Sequence, residues 1–208
     1  MLPAGWAVRG ATLAAAGSLE GALDALPKGA RLLVHPHFMA DGWFATEELP
    51  RRLSKAGAGD FAILPAFGLD PAVPRLCLAR ARAAAVAEGI APGAAALVLA
   101  AHGSPSDPRP AAVAREVARF LAASGAFRDV VAGFVDEEPY IAEAARLSPP
   151  ALCLPFFAGR AGHVEADLPA ALAGAGFPGP LLDPVGTGPE VPAIIAAALK
   201  RQAARPAA

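Results

Sequence analysis

Short apolar runs alternating with helical stretches govern what the second half of this chain can become. ALVLAA (Ala96 to Ala101), VVAGFV (Val130 to Val135), ALCLPFF (Ala151 to Phe157) and PLLDPV (Pro180 to Val185) each have strand length and read as buried strands. Between the first two, Val113, Val117, Phe120 and Leu121 fall on one helical face, and Ser124-Gly125 supplies the stop. Shorter helices are expected over Pro139 to Leu147 and Glu165 to Ala175, and a last one from Pro189 to about Gln202. Strands separated by helices of this length form βαβ units, so the expected fold class is α/β, with parallel sheets flanked by helices.

The chain can bury such a core, because 55% of its 208 residues are hydrophobic. Its 22 prolines and 21 glycines are scattered among apolar runs, so a disordered chain is not expected; only Ala203 to Ala208 reads as frayed. Eighteen basic and nineteen acidic residues leave a net charge of −1, too small a field to hold nucleic acid, and no basic cluster replaces it. No run approaches the ~18 apolar residues of a membrane span. No basic, apolar leader opens the chain, so the expectation is a cytoplasmic protein without a membrane partner. Cys77 and Cys153 lie in apolar runs without CxxC spacing and read as reduced core residues. The sequence is compatible with a homodimer and does not decide the point.

Slid against itself, the chain shows a faint internal copy. LVHPHFMADGWFATEELP (Leu33 to Pro50) lies over CLPFFAGRAGHVEADLP, with Pro36, Phe38 and Pro50 matching Pro155, Phe157 and Pro169; 155 − 36 and 169 − 50 both give 119. Gly68, Pro71, Val73 and Pro74 match Gly186, Pro189, Val191 and Pro192 at an offset of 118. The expectation is two pseudo-symmetric lobes, residues 1–88 truncated and 95–202 complete, with a cleft between them. The first lobe lacks the opening strand and helix, and Gly89 to Ala95 is the linker.

Of four histidines, His102 directly follows the strand ALVLAA, and His163 follows ALCLPFF by a short loop and opens the next helix. Ligands of parallel α/β sheets gather outside the carboxyl ends of the strands, so both histidines stand at the functional edge. A lone loop histidine is usually a hydrogen-bonding residue, but two on one edge can share a divalent ion in a loose, open site.

LVLAAHGSPSDPR, SGAFRDVVAGF, LPFFAGRAGHVEADLP and DPVGTGPEVPAII together resemble the class II chelatases. Within that family they are similar to the small cobaltochelatases that metallate sirohydrochlorin in vitamin B12 synthesis and to the siroheme ferrochelatases. The resemblance spans Leu97 to about Leu199. It implies ATP-independent insertion of a divalent metal, Co²⁺ first and Fe²⁺ or Ni²⁺ next, into a sirohydrochlorin-type tetrapyrrole. It also implies that His102 and His163 bind the metal and help remove the pyrrole protons. Histidine suits that chemistry, being an exchangeable ligand and a base active near neutral pH. The positive end of a helix dipole would favour neutral His163.

Glu137 and Glu138 follow the second strand, where a carboxylate could complete the metal site or simply start a helix; Glu138, directly before Pro139, is the better candidate because related enzymes often carry a glutamate there. Gly103, Ser104 and Arg109 are expected to receive a carboxylate of the macrocycle. HGSPSD lacks the G-x-S-x-G elbow, so Ser104 is not read as a hydrolase nucleophile. Pro105 stands where the family has a basic residue, and with the truncated first lobe it prompts the alternative of a non-catalytic tetrapyrrole or metal carrier. In the first lobe Phe44 takes the place of His163. Core packing is the expected role of Trp43 and Phe44, with an apolar wall for the ring as the alternative. His35 and His37, read as strand residues, would point to opposite faces, so that at most one faces the cleft.

Overall fold

The computed structural model describes residues 4–91, 93–160 and 162–204, with the backbone but not the side chain of His163. Pro92, inside the expected linker, and the last four residues of the expected frayed end lie outside the described residues. In chain order the elements are α1 (Ser18–Asp24), β1 (Leu32–Val34), α2 (Leu49–Lys55), β2 (Phe61–Ile63), α3 (Val73–Ala87), β3 (Ala96–Ala101), α4 (Arg109–Ala123), β4 (Asp129–Phe134), α5 (Ile141–Ala144), β5 (Ala151–Pro155), α6 (Leu168–Gly174) and α7 (Val191–Ala203). The fold class is α/β with parallel sheets flanked by helices. β1 and β2 pair as one two-stranded parallel sheet, and β4-β3-β5 form a second, also parallel.

β3 lies at the centre of the larger sheet, and all six of its residues are buried, as a continuous apolar run between two neighbours requires. Its register sets Ala101 beside Phe134 of β4 and Ala100 beside Pro155 of β5, so three strands end together. Prolines start the helices: Pro50, Pro74, Pro110, Pro169 and Pro192 each stand in a first turn, where the missing N–H has no intrahelical partner to lose. This use accounts for part of the proline content without any disordered tract.

Similar turns recur at the offset found in the sequence. A π-helical turn, Phe44–Glu48, leads into α2, and a second, His163–Asp167, leads into α6. A 3₁₀ turn at Phe67–Leu69 precedes α3, and another at Val185–Thr187 precedes α7. Gly68 and Gly186 show why these turns repeat: a Cβ would lie 2.0 Å from the Met39 carbonyl oxygen at Gly68 and 2.3 Å from that of Ala158 at Gly186. Only glycine lets the two backbones approach so closely. Residues 10–15, which the 119 offset sets against β4, form no strand.

The two halves share their main core. Phe67, Val73, Leu76, Cys77 and Ala81 of the first pack in one cluster with Leu97, Leu99, Leu121, Leu152, Leu154, Val185 and Val191 of the second. Burial pushes both thiols, Cys77 and Cys153, up to about 12, so they remain protonated core residues.

Four expectations need correction. PLLDPV is not a fourth strand: only a bridge between Cys153 and Leu181 forms, because Pro180 and Pro184 carry no N–H to extend a ladder. Phe120 is 39% exposed. The buried stripe of α4 is Ala111, Ala114, Val117, Ala118 and Leu121, rotated away from it. The helix expected over Pro139 to Leu147 is confined to α5, closed in by Pro139 before it and by Pro149 and Pro150 after it. His35 and His37 follow β1 instead of lying in it, so strand alternation does not govern them.

Candidate functional site

His102 is the first residue beyond β3, at the edge where the three strands end. Its backbone is fixed from β4: the N–H groups of Val135 and Asp136 donate to the His102 carbonyl at 3.1 and 3.0 Å. Its ring is half exposed, and Nδ1 lies 3.1 Å from the Gly103 carbonyl and 3.2 Å from Asp136 Oδ2. Both partners are acceptors, so in the neutral ring Nδ1 carries the proton and the lone pair resides on Nε2. A carbonyl or carboxylate behind the ring is the usual orienting device for a metal-binding or basic histidine.

The chain then turns sharply. Gly103 adopts φ +74°, and a Cβ there would meet Glu137 Cγ and Oε1 at 2.9 Å and Phe134 Cβ at 3.0 Å. Glu137 Oε1 accepts from the Ser104 N–H at 3.3 Å, while Oε2 lies 3.8 Å from Arg115. Arg115 stacks its guanidinium 4.7 Å above the Phe134 ring and donates to the Glu138 carbonyl at 3.0 Å. The carboxylate that braces the His102 loop is thus that of Glu137, which sequence reasoning ranked second; Glu138 is exposed on the same segment. An acidic pair after a strand flags the segment, but which member turns inward depends on β4 ending at Phe134.

Ser104 Oγ accepts from the Asp107 N–H at 3.2 Å, closing the loop that leads into α4. Arg109 holds Asp107 through Nε–Oδ1 and Nη2–Oδ2 contacts of 2.9 and 2.8 Å. Arg109 keeps the Asp107 carboxyl below its usual range, and the Trp43 backbone N–H adds a smaller effect. Gly103, Ser104 and Arg109 therefore form one loop, with the Ser104 N–H and the Arg109 fork engaged inside the protein.

His163 opens the π-helical turn that follows β5, so its backbone lies beyond the strand adjacent to that of His102. Its side chain, and any distance to His102, lie outside the described residues. Arg160 pairs with Asp183 on the approach to it.

The first half meets this edge in three places. A Cβ on Gly42 would lie 3.5 Å from Asp107 Oδ2 and 3.8 Å from Pro110. His37 Nε2 lies 3.0 Å from the Ala158 carbonyl and 3.1 Å from that of Gly186. Arg80 Nη1 donates to the Pro184 carbonyl at 2.8 Å. His37 has no partner nearby in the sequence, because the carbonyls it meets lie 121 and 149 positions away. His35 Nδ1 is buried without a hydrogen-bond partner, and burial, followed by the charge of His37, pushes its pKa down. Trp43 and Phe44 are not core residues: they are 53% and 56% exposed, packed edge to face at 5.1 Å. Trp43 immediately precedes, and Phe44 starts, a turn that ends in buried Glu48; Arg51 and Arg52 hydrogen bonds hold that carboxyl down at about 2.

Among the described residues no helix is long and apolar enough to cross a membrane, and no group of three or more His, Cys, Asp or Glu side chains forms a metal cluster.

No functionally curated protein matches the chain. The CbiX family model matches residues 96–202. Among solved structures, CbiX, "the terminal enzyme for biosynthesis of siroheme in denitrifying bacteria", is 48% identical, with 94% of this chain and 83% of that one covered at a TM-score of 0.85. SirB from Bacillus subtilis with Fe³⁺ shares 17% identity over 90% of this chain and 78% of that one, TM-score 0.71. SirB from Bacillus subtilis subspecies spizizenii in complex with cobalt shares 16% over 91% and 75%, TM-score 0.60. These two likenesses show the fold. By the family model and the 48% identity over most of its length, the chain belongs to the CbiX family of class II chelatases.

Proposed function

We propose that this enzyme inserts a divalent metal into a sirohydrochlorin-type tetrapyrrole without ATP, at the strand edge that carries His102 and His163. The observation that carries the reading is the His102 ring, tied through Nδ1 to the Gly103 carbonyl and Asp136 so that Nε2 holds the lone pair. Insertion must strip water from the ion and remove two pyrrole protons, and a neutral imidazole does either task. His163, beyond the adjacent strand, is the second metal-facing residue. Exposed Glu138 is the carboxylate that assists proton removal, and Glu137 holds the loop in place. The Gly103–Ser104 turn and half-exposed Arg109 receive macrocycle carboxylates by exchanging internal partners for them. The two halves act as lobes of one site, residues 1–88 and 95–202.

Two metals are in view. The resemblance to cobaltochelatases favours Co²⁺, while the 48% identical relative serves siroheme, an iron chelate, and favours Fe²⁺. Absorbance of sirohydrochlorin under anaerobic conditions, with each ion alone and in competition, decides between them. Multiple turnovers above the spontaneous rate are expected. His102→Ala should lower turnover by about 100-fold or more, as loss of an acid–base group does, while leaving the unfolding midpoint nearly unchanged. A stoichiometric spectral shift without turnover would favour the carrier, and near-normal insertion by His102→Ala would overturn the assignment.

A further inference from the structure

The exposed aromatic pair of the first half lies on the rim of the same site. Trp43 and Phe44 are adjacent large apolar side chains, each more than half exposed and packed on one another, so they form a contiguous aromatic patch and not scattered surface residues. They are anchored to the His102 loop: Gly42 abuts Asp107 and Pro110, and the Trp43 N–H meets the Asp107 carboxylate. Asp107 in turn is bonded through its N–H to Ser104, two residues from His102. Phe44 also opens the first π-helical turn at the position His163 holds in the second.

We propose that Trp43 and Phe44 form the apolar wall against which one face of the tetrapyrrole ring lies, so that the truncated half supplies the macrocycle contact and the complete half the metal chemistry. This inference rests on the chelatase reading for the identity of the occupant. A flat, conjugated ring rimmed by carboxylates fits such a rim. Its face stacks on one of the two rings, while its acidic edge meets Arg109 on the adjoining loop. The edge-to-face packing of the pair, 76° between the rings, offers one flat ring face with the other ring buttressing it.

The test is equilibrium titration of metal-free sirohydrochlorin against the full chain, with Trp43→Ala, Phe44→Ala, the double variant and, as an exposed aromatic away from the loop, Phe120→Ala. Each single truncation should weaken binding about tenfold, the scale of stacking on one aromatic. KM should rise with kcat largely kept, and Co²⁺ binding measured without macrocycle should stay unchanged. Trp43→Phe should restore most of the affinity, and Phe120→Ala should match wild type. Equal affinities of wild type and the double variant would overturn the wall, whatever the turnover. A change in sedimentation with no change in macrocycle affinity would also overturn it, assigning the pair to contact between copies of the chain. A wild-type protein that binds the macrocycle but turns none over, with binding weakened in the double variant, would fail the chelatase reading and still support the wall.

Discussion

Gly103→Ala should damage both the fold and the site, by an amount the local geometry sets. At φ +74° an alanine Cβ costs about 1–2 kcal/mol, because the left-handed region crowds it against its own backbone. The Cβ would also lie 2.9 Å from Glu137 Cγ and Oε1, so the carboxylate must move. Displacing it gives up the Ser104 N–H bond, worth about 1 kcal/mol. The sum, about 2–3 kcal/mol, corresponds to a fall in Tm of about 4–12 °C for a chain of this size. Gly125→Ala is the control: φ is +65° and nothing lies within 4 Å, so it carries the backbone cost alone. Differential scanning calorimetry of both variants, with Glu137→Ala added to each, forms a cycle. In the Glu137→Ala background the extra cost of Gly103→Ala should fall toward that of Gly125→Ala, and only part of it should remain, because Phe134 Cβ stays 3.0 Å away. If Gly103→Ala is no more destabilising than Gly125→Ala, Glu137 does not brace this loop and the reasoning fails.

Gly68→Ala and Gly186→Ala should each cost about 3 kcal/mol or more, since the new methyl meets backbone that cannot step aside; urea midpoints measure it, and a loss below ~1 kcal/mol in either would contradict the close approach. Stability should rise with pH through the histidine range because of His35. Its folded pKa lies below the unfolded value of about 6.5, so the unfolded chain binds the extra proton; the contribution is present above pH ~6.5 and lost as pH falls through the folded pKa. His37 and Arg201 oppose that protonation and Asp70 favours it. Unfolding midpoints at pH 5 and 7.5 for wild type and His35→Leu should show a smaller pH dependence in the variant, and an unchanged slope would refute the assignment.

The sequence carried the strand–helix alternation, the place of His102 and the internal offset, because burial of whole strands and helix-starting prolines leave periodic marks. It hid what depends on neighbours. Leu181 and Leu182 look like strand residues, yet the flanking prolines reduce their pairing to one bridge. Phe120 looks like core, yet the buried face of α4 is Ala111, Ala114, Val117, Ala118 and Leu121, which leaves Phe120 at its border with solvent. Trp43 and Phe44 look like core for the same reason, and their exposure follows from the turn that projects them beyond β1. Glu137 and Glu138 are the same residue type in sequence, and the end of β4 at Phe134 sets which one reaches the loop at Gly103 and Ser104.

The first half makes sense once its contacts are followed to their acceptors. Its polar bonds to the second half run to the loops beyond β5 and before α7: His37 donates to the carbonyls of Ala158 and Gly186, and Arg80 to those of Pro184 and Val185, while Asp70 accepts in return from Arg201 of α7. The His37 bond fixes its own tautomer, since two carbonyls at 3.0 and 3.1 Å both require the proton on Nε2. Ala158 lies just beyond β5, so the first half holds the start of the loop that leads to His163. A half with two short strands and no counterpart of β3 could not bury its own apolar face alone, and Phe67, Val73, Leu76 and Cys77 complete the core under β3 and β5 instead. Phe44 opens in the first half the turn that His163 opens in the second, so that half meets the shared architecture through its core residues, its bonds to the loops and an exposed aromatic pair.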